Sequence, residues 1–304
     1  MKHQSPNEFE DRPKGIQRIR KLPDADLGRL WDSIIMEPAV KDQLLSQAVL
    51  NFTMRQKVPR DVVPLHGVIL LVGPPGTGKT SLARGLAHRV ASSFGGGASF
   101  RLLEVEPHSL ASSGHGKTQR AVTDLFALSI AEAAAGGPTI VLLDEVETLA
   151  ADRAKLSMDA NPIDVHRATD AVLVQLDLLA EEHPNLLFVA TSNFPKAVDR
   201  AFLSRADLIL EVPLPEKSAC RQILADCLGG LAKAYPAIGK LTSSPKFGAC
   251  AEACVGLDGR SIRKMVANAL ASSPKVAMDP NLVAIEDLLK AAHTARATRL
   301  QVEA

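Results

Sequence analysis

The chain has 304 residues, of which 46% are hydrophobic and 23% charged, so it is long enough for one large domain or two smaller ones with a hydrophobic core. Its formal net charge of +1 argues against binding to nucleic acid or an anionic membrane through overall charge. No apolar run approaches the ~20 residues that span a bilayer, and the first residues lack the apolar stretch of a secretory signal, so we expect a cytoplasmic protein.

The N-terminal region changes character near residue 25. Residues 1–24 are polar, contain three prolines and have more Lys and Arg than Asp and Glu, which predicts a flexible basic tail. A nucleic-acid-binding arm is the alternative interpretation. From Leu27 to Leu50 apolar residues recur at helical spacing.

Residues 25–213 then alternate apolar runs with helical segments. The predicted strands are Val68–Val72, Phe100–Val105, Thr139–Leu143, Leu186–Thr191 and Leu208–Val212. Strands that alternate with helices favour a parallel sheet covered on both faces. The pattern predicts an α/β domain with a five-stranded parallel sheet.

Beyond Pro213 the strand signals stop. Residues 214–304 show helical patterns with short glycine and proline breaks, which predicts a small helical lid domain. The four cysteines lie in this part: Cys220, Cys227, Cys250 and Cys254. They form no Cys-x-x-Cys pair, so we expect reduced thiols in the core and no zinc site.

One segment fits the phosphate-binding loop pattern in full, between an apolar strand and a helix. It reads Gly73, Pro74, Pro75, Gly76, Thr77, Gly78, Lys79 and Thr80, and Ser81 follows in the helix. Glycines let the backbone close around phosphate oxygens with its N–H groups directed inward, and the helix N-terminus favours the same anion. Lys79 is predicted to reach the β- and γ-phosphates, and the Thr80 hydroxyl to bind Mg²⁺.

An acidic pair, Asp144 and Glu145, ends the third predicted strand. We expect this strand to lie beside the strand that precedes the loop, which would deliver both carboxylates to the γ-phosphate. Asp144 could then hold Mg²⁺, directly or through water. Glu145 could polarise the attacking water as a general base.

These two motifs together resemble those of the AAA+ ATPases, and further segments resemble the pachytene checkpoint protein 2 family, also called thyroid receptor-interacting protein 13. The segments that carry the narrower match are Leu30–Ile35, Gly73–Leu82, Asp144–Leu149, Asn161–Arg167, Ala171–Asp177, Thr191–Asn193, Ala201–Asp207 and Gly256–Arg260. The match spans roughly residues 24–295. It implies the AAA+ fold with its helical lid, ATP as substrate and a homohexameric ring.

The resemblance also implies roles for single residues. Asn193 would be the sensor that holds the attacking water, which suits an amide that donates and accepts at once. Arg205 would be the arginine finger that acts on a neighbouring subunit's nucleotide, with Arg200 as the alternative. Arg260 would be the second sensor on the lid. Ile34 and Ile35 are candidates for walls of the adenine pocket, with ordinary core packing as the equal alternative.

Two features depart from the family. Eukaryotic members carry a folded N-terminal recruiting domain, whereas fewer than thirty residues precede the core in this sequence. The substrate-gripping pore loop of the family has an aromatic residue followed by a hydrophobic one, and the equivalent stretch here contains Gly114, His115 and Gly116. Imidazole is flat and could still grip, with a pH-sensitive hold; a loop that does not grip is the alternative.

The family implies partners and a process. Its members remodel HORMA-domain proteins, and the compact form resembles bacterial members in which a HORMA protein activates a cyclic-oligonucleotide synthase and the ATPase disassembles that complex. Two other classes stay open at this point: a DNA-linked clamp or helicase loader, and a scaffold that binds ATP without hydrolysing it. The near-neutral charge argues against the first, and the full set of predicted hydrolytic residues argues against the second.

Overall fold

The computed structural model describes residues 15–95, 97–107, 110, 117–151 and 162–303. The chain separates into two compact units. The first takes the described residues of Met1–Asp32, Pro38–Val72 and Lys79–Glu211. The second takes those of Ser33–Glu37, Gly73–Gly78 and Val212–Ala304, so it includes two short segments from the N-terminal half of the chain.

The first unit is built on a mostly parallel sheet. Its strands within the described residues are β1 (Ile16–Leu22), β2 (Val68–Val72), β3 (Phe100–Val105), β4 (Thr139–Leu143), β5 (Leu186–Ser192) and β6 (Leu208–Glu211). They lie in the order β1-β3-β4-β5-β2-β6. The strands β2 to β6 pair in parallel, which confirms the five-stranded parallel sheet, and β1 adds an antiparallel edge next to β3.

The helices cover this sheet and form most of the second unit. In the described part of the chain the α-helices are α1 (Ala25–Ser33), α2 (Pro38–Met54), α3 (Lys79–Ser93), α4 (Lys117–Asp124), α5 (Ala131–Ala135), α6 (Pro162–Glu182), α7 (Arg200–Leu203), α8 (Lys217–Ala232), α9 (Phe247–Ala253), α10 (Gly259–Leu270), α11 (Pro274–Met278) and α12 (Ile285–Glu303). A π-helical stretch, Leu125–Ile130, joins α4 to α5. None of these helices is both long and apolar enough to cross a membrane.

The core of the first unit lies on both faces of the sheet. Every residue of β2, β4 and β5 is buried, as expected for strands covered on two sides. Along β2, Val68 and Leu70 belong to one apolar cluster, which also contains the stacked rings of Phe126 and Phe188 with centroids 5.8 Å apart. This packing holds the carboxyl ends of β2, β4 and β5 in a fixed arrangement.

Strand β1 corrects the prediction of a flexible tail for residues 16–22, whereas residues 1–14 lie outside the described part of the chain. Ile16 and Leu22 are buried at its ends, and the residues between them are exposed or half-buried. Because an edge strand obtains its hydrogen bonds from one neighbour only, its outward residues can be polar, and the apolar alternation that identifies a strand is absent. Arg20 fixes the end of the strand by an ion pair with Asp24 at 2.8 Å.

Three of the four cysteines lie in the core of the second unit, as the sequence predicts. None of the four cysteines is in a disulfide; Cys220, Cys250 and Cys254 are buried and Cys227 is half-buried. Burial raises the pKa of Cys220 to about 11 and that of Cys254 to about 12, because a buried thiolate loses its hydration.

These thiols should make the protein less stable in alkaline solution. An unfolded thiol ionises near pH ~8.5, so above that pH the unfolded state loses protons that the folded state keeps. The free energy of unfolding should fall by up to about 1.4 kcal/mol per pH unit for each thiol until pH reaches the folded pKa. Urea unfolding between pH 8 and pH 10 measures this slope, and a Cys220→Ala/Cys254→Ala variant should show a shallower one; equal slopes would contradict the assignment.

Candidate functional site

The glycine-rich loop between β2 and α3 has a backbone that only glycine adopts easily. Gly73, Gly76 and Gly78 have φ angles of 147°, 80° and 97°. A Cβ atom on Gly76 would lie 2.1 Å from a carboxylate oxygen of Asp258, and one on Gly73 would lie 2.3 Å from the Val212 carbonyl oxygen. The loop therefore cannot carry side chains at these positions, as expected for a backbone that closes around phosphate oxygens.

The loop ends where α3 begins, and its two most polar residues lie in the first turn of this helix. Lys79 is only 4% exposed. The Thr80 hydroxyl donates to Asp144 Oδ1 at 2.8 Å. The N-terminus of α3 and the Thr80–Asp144 pair therefore lie together, as a site for a triphosphate with Mg²⁺ requires.

The strand order corrects the expected path of the acidic pair. The strand β4 is not adjacent to β2, because β5 lies between them and pairs with both. Asp144 therefore reaches Thr80 across the end of β5. There the Thr191 hydroxyl donates to Asp144 Oδ1 at 2.5 Å, so Thr191 orients the Asp144 carboxylate.

The oxygen atoms at this point fit a magnesium ion. A hydroxyl and a carboxylate, from Thr80 and Asp144, are hard ligands of the kind that Mg²⁺ prefers. The described residues contain no group of three or more His, Cys, Asp or Glu side chains that could hold a metal by themselves.

Glu145 has the one strained backbone of the site. Its φ and ψ are 53° and 57°, and it is the single non-glycine residue with positive φ in the described part of the chain. Such a conformation costs on the order of 1–3 kcal/mol and persists where the surroundings hold it. Here the Glu145 N–H donates to the Thr191 hydroxyl at 3.1 Å, and its Oε1 accepts from Asn193 Nδ2 at 3.2 Å.

Asn193 is therefore brought to Glu145, as a sensor of the attacking water would need to be. It follows the last residue of β5, and its own N–H donates to Glu147 Oε1 at 3.1 Å. Sequence reasoning did not assign a role to Thr191 or Glu147. Both lie inside segments of the family match, and their position next to Asn193 and Glu145 was the available signal.

The side chain of Arg205 is hydrogen-bonded to other residues of the first unit. Its guanidinium group donates to both carboxylate oxygens of Asp177, at 2.8 and 2.6 Å, and to the carbonyl oxygen of Ala201 at 2.7 Å. These hydrogen bonds raise the pKa of Arg205 and lower that of Asp177. Arg200 is instead exposed, in the first turn of α7.

The pocket beside Arg205 contains further charged groups. It is about 420 Å³ in volume and is lined by Arg60, His66, Asp177, Leu178, Glu181, Ser204 and Arg205. Burial lowers the pKa of His66, and nearby Arg60 lowers it further. Asp207, two residues after Arg205, accepts hydrogen bonds from the N–H groups of His66, Gly67 and Val68 at 2.8, 2.8 and 3.0 Å. The segment of Arg205 is thereby attached to the start of β2.

Arg260 lies in the first turn of α10, and its main chain contacts the glycine-rich loop. Its N–H donates to the Gly76 carbonyl oxygen at 3.3 Å, and its side chain is exposed. Both residues belong to the second unit. The role of the Arg260 side chain as second sensor stays a prediction.

The remaining predicted residues divide into two groups. Ile35 packs against the core of the second unit, and a Cβ atom on Gly78 would lie 2.4 Å from Ile34 Cδ1. The choice between core packing and a wall of the adenine pocket stays a prediction. Gly114, His115 and Gly116 lie outside the described residues. The pore-loop assignment therefore stays a prediction.

Comparison with known proteins gives three kinds of match. The model of the ATPase family associated with various cellular activities (AAA) matches residues 69–214. CD-NTase-associated protein 6 of Pseudomonas aeruginosa is 72% identical over 289 residues, which cover 95% of each protein. The pachytene checkpoint protein 2 homolog of Rattus norvegicus is 35% identical over 222 residues, which cover 70% of this chain and 50% of that protein. The chain thus spans about half the length of this relative.

Solved structures share the fold. The structure of C. elegans PCH-2 matches with a TM-score of 0.74 and 26% identity, over 96% of this chain and 78% of that one. A chain in the structure of the E. coli MS115-1 HORMA:CdnC:Trip13 complex matches with a TM-score of 0.72 and 20% identity, over 91% and 94% of the two chains. At 20% identity this second match concerns the fold alone.

Proposed function

Because the chain belongs to the AAA ATPases, in the family that includes CD-NTase-associated protein 6 and the pachytene checkpoint protein 2 homologs, we propose that it hydrolyses ATP to remodel a HORMA-domain protein. In this proposal six copies form a ring. The HORMA-domain protein binds and activates a CD-NTase, which is a cyclic-oligonucleotide synthase, and the ring disassembles the complex of these two proteins. The protein would then act as a negative regulator of anti-phage signalling. The observation that carries the proposal is the 72% identity to CD-NTase-associated protein 6 over 95% of both proteins.

The geometry of the site supports the hydrolytic step. In this proposal Lys79 would offset the charge of the β- and γ-phosphates. Thr80, which donates to Asp144, would hold Mg²⁺ together with that carboxylate, and the bound ion would further neutralise the phosphate oxygens. Glu145 accepts the proton of the attacking water, and Asn193, already in contact with Glu145, orients that water. Water enters at the γ-phosphorus, and the bond to the bridging oxygen of ADP breaks.

The proposal uses two further elements. Arg205 of one subunit would act on the nucleotide of its neighbour, and Arg260 would couple the nucleotide to the second unit. The loop that contains Gly114, His115 and Gly116 would contact the flexible end of the substrate in the pore. Pulling on that end would partly unfold the HORMA-domain protein and release its partner.

A substrate-trapping experiment tests the proposed function. Glu145→Gln should bind ATP without hydrolysing it, so the ring should retain its substrate. We expect tagged Glu145→Gln protein with ATP to retain a purified HORMA-domain protein encoded in the same genome, and to lose it when ADP replaces ATP. Wild-type protein with ATP should release the HORMA-domain protein from a preformed complex with the CD-NTase, as measured by size-exclusion chromatography.

Lys79→Ala is the matched control, since it should bind neither ATP nor substrate. Retention of the HORMA-domain protein by Lys79→Ala would show binding that does not depend on ATP. If the preformed complex stays intact with wild-type protein and ATP, the proposed substrate is wrong.

A further inference from the structure

Glu147 contacts the site without belonging to either predicted motif. It lies in the 3-10 turn Val146–Thr148, which directly follows Glu145. Its Oε1 accepts the main-chain N–H of Asn193 at 3.1 Å. Its Oε2 is buried and has no hydrogen-bond partner among the described residues. A half-satisfied buried carboxylate destabilises a fold, so its presence beside a reactive centre calls for a functional reason.

The bond to Glu147 meets a specific need of Asn193. The pairing of β5 with β2 ends at Ser192, opposite Val72, so the N–H of Asn193 lies beyond the sheet ladder. Glu147 supplies the acceptor that the ladder no longer provides. The Asn193 side chain can be aimed only if its main chain is fixed, because the amide is just two torsions away from the backbone.

Three hydrogen bonds of Glu145 and Glu147 join the segment after β4 to the end of β5. Glu145 N–H donates to the Thr191 hydroxyl, Asn193 Nδ2 donates to Glu145 Oε1, and Asn193 N–H donates to Glu147 Oε1. Asn193 is thus held at two points, by its main chain and by its side chain. Without the hydrogen bond from its main chain to Glu147, Asn193 would be less fixed, and both its side-chain amide and the Glu145 carboxylate would lose their positions.

We propose that Glu147 is a positioning residue for ATP hydrolysis, which holds Asn193 and through it the water-activating Glu145. The inference rests on the proposed ATPase mechanism but not on the identity of the remodelled protein. What matters in Glu147 under this proposal is the reach of its acceptor oxygen to Asn193, because that oxygen makes the hydrogen bond that fixes the Asn193 main chain.

Two matched substitutions of Glu147 distinguish the effect of side-chain length from the effect of negative charge. Glu147→Gln keeps the chain length and the acceptor oxygen but removes the charge, and Glu147→Asp keeps the charge but shortens the side chain by one methylene group. We expect Glu147→Gln to retain most of the wild-type kcat for ATP. We expect Glu147→Asp and Glu147→Ala to lower kcat by roughly 10-fold to 100-fold with KM for ATP little changed, since a misplacement of about 1 Å near the reacting atoms has that effect.

A double-mutant comparison tests whether the effect passes through Asn193. In an Asn193→Ala background, Glu147→Asp should lower kcat by less than about 2-fold, because the residue that it positions is gone. Steady-state ATP turnover by the full chain measures all of these rates. Thermal unfolding shows whether each variant is folded, and the Asp and Gln variants carry the test if the Ala variant is not.

Three results would overturn the proposal. The first is a Gln variant slower than the Asp variant, which would make charge the relevant property. The second is an equal loss from Glu147→Asp with and without Asn193, and the third is wild-type turnover in Asn193→Ala. The assay contains no HORMA-domain protein, so a failure here is distinct from a failure of the proposed substrate.

Discussion

Glu145→Gln should lower the rate of ATP hydrolysis by about 100-fold to 10,000-fold, the range that a general base contributes. Glutamine has the same shape as glutamate, and its amide oxygen can still accept the hydrogen bond from Asn193 Nδ2. It cannot take a proton from water at neutral pH. The loss should therefore fall on kcat, while the affinity for ATP stays close to that of the wild type.

The measurement is ATP turnover at saturating nucleotide, together with the dissociation constant of a fluorescent ATP analogue. Lys79→Ala provides the contrast, because it should lose nucleotide binding itself. Hydrolysis by Glu145→Gln at the wild-type rate would remove Glu145 from the role of base. A loss of nucleotide affinity equal to that of Lys79→Ala would mean that Glu145 supports binding and not the chemical step.

The local part of the site could be predicted from the sequence. The phosphate-binding loop is a contiguous pattern whose glycines are required by the loop backbone itself, as the φ angles of Gly73, Gly76 and Gly78 show. Asp144 and Glu145 directly end an apolar strand, so their place at the edge of the sheet follows from the strand prediction. Each of these features depends on residues that are neighbours along the chain.

The contacts between residues on different strands could not be predicted in this way. The position of β5 between β4 and β2 is decided by pairing between distant segments, and only this order explains why Thr191 orients Asp144. The bond between Asn193 and Glu147 joins residues 46 apart in sequence. The hydrophobic pattern of the sequence does not indicate such a contact, because the contact depends on where two strand ends meet in space.

Edge strand β1 was missed for a related reason. Its interior residues are exposed or half-buried, so Arg18, Arg20 and Lys21 are compatible with a strand and equally with a basic tail. What decides between them is the register with β3, from Ile16 opposite Val105 to Leu22 opposite Phe100. That register is a long-range property of the chain.

If Arg205 is the arginine finger of the proposed ring, Arg205→Ala should lower ATP hydrolysis by about 1,000-fold, the lower end of the contribution of an arginine finger. Arg200→Ala tests the alternative finger, and it should change the rate by less than about 2-fold if Arg205 has that role. The rate of each variant is compared with the wild-type rate at the same protein concentration. Size-exclusion chromatography checks that the variant assembles as the wild type does at that concentration. Equal losses in the two variants would leave the finger assignment without support.

The ion pair between Arg205 and Asp177 provides a second explanation that the experiment must separate. If Arg205 served only to hold its own subunit together through this pair, Asp177→Ala would reduce hydrolysis as strongly as Arg205→Ala. If Arg205 acts on the neighbouring site, Asp177→Ala should cost less, because the guanidinium group remains.

Mixed rings decide whether Arg205 acts in trans. An Arg205→Ala subunit keeps its own phosphate-binding residues, and a Lys79→Ala subunit keeps its arginine. Where a Lys79→Ala subunit presents Arg205 to an Arg205→Ala neighbour, one complete site forms, so a mixture of the two inactive proteins should hydrolyse ATP faster than either alone. A mixture that stays inactive although the proteins co-assemble would place the effect of Arg205 within its own subunit. Recovery of activity would instead require each working site to draw Lys79, Asp144 and Glu145 from one chain and Arg205 from the next, so hydrolysis would depend on assembly.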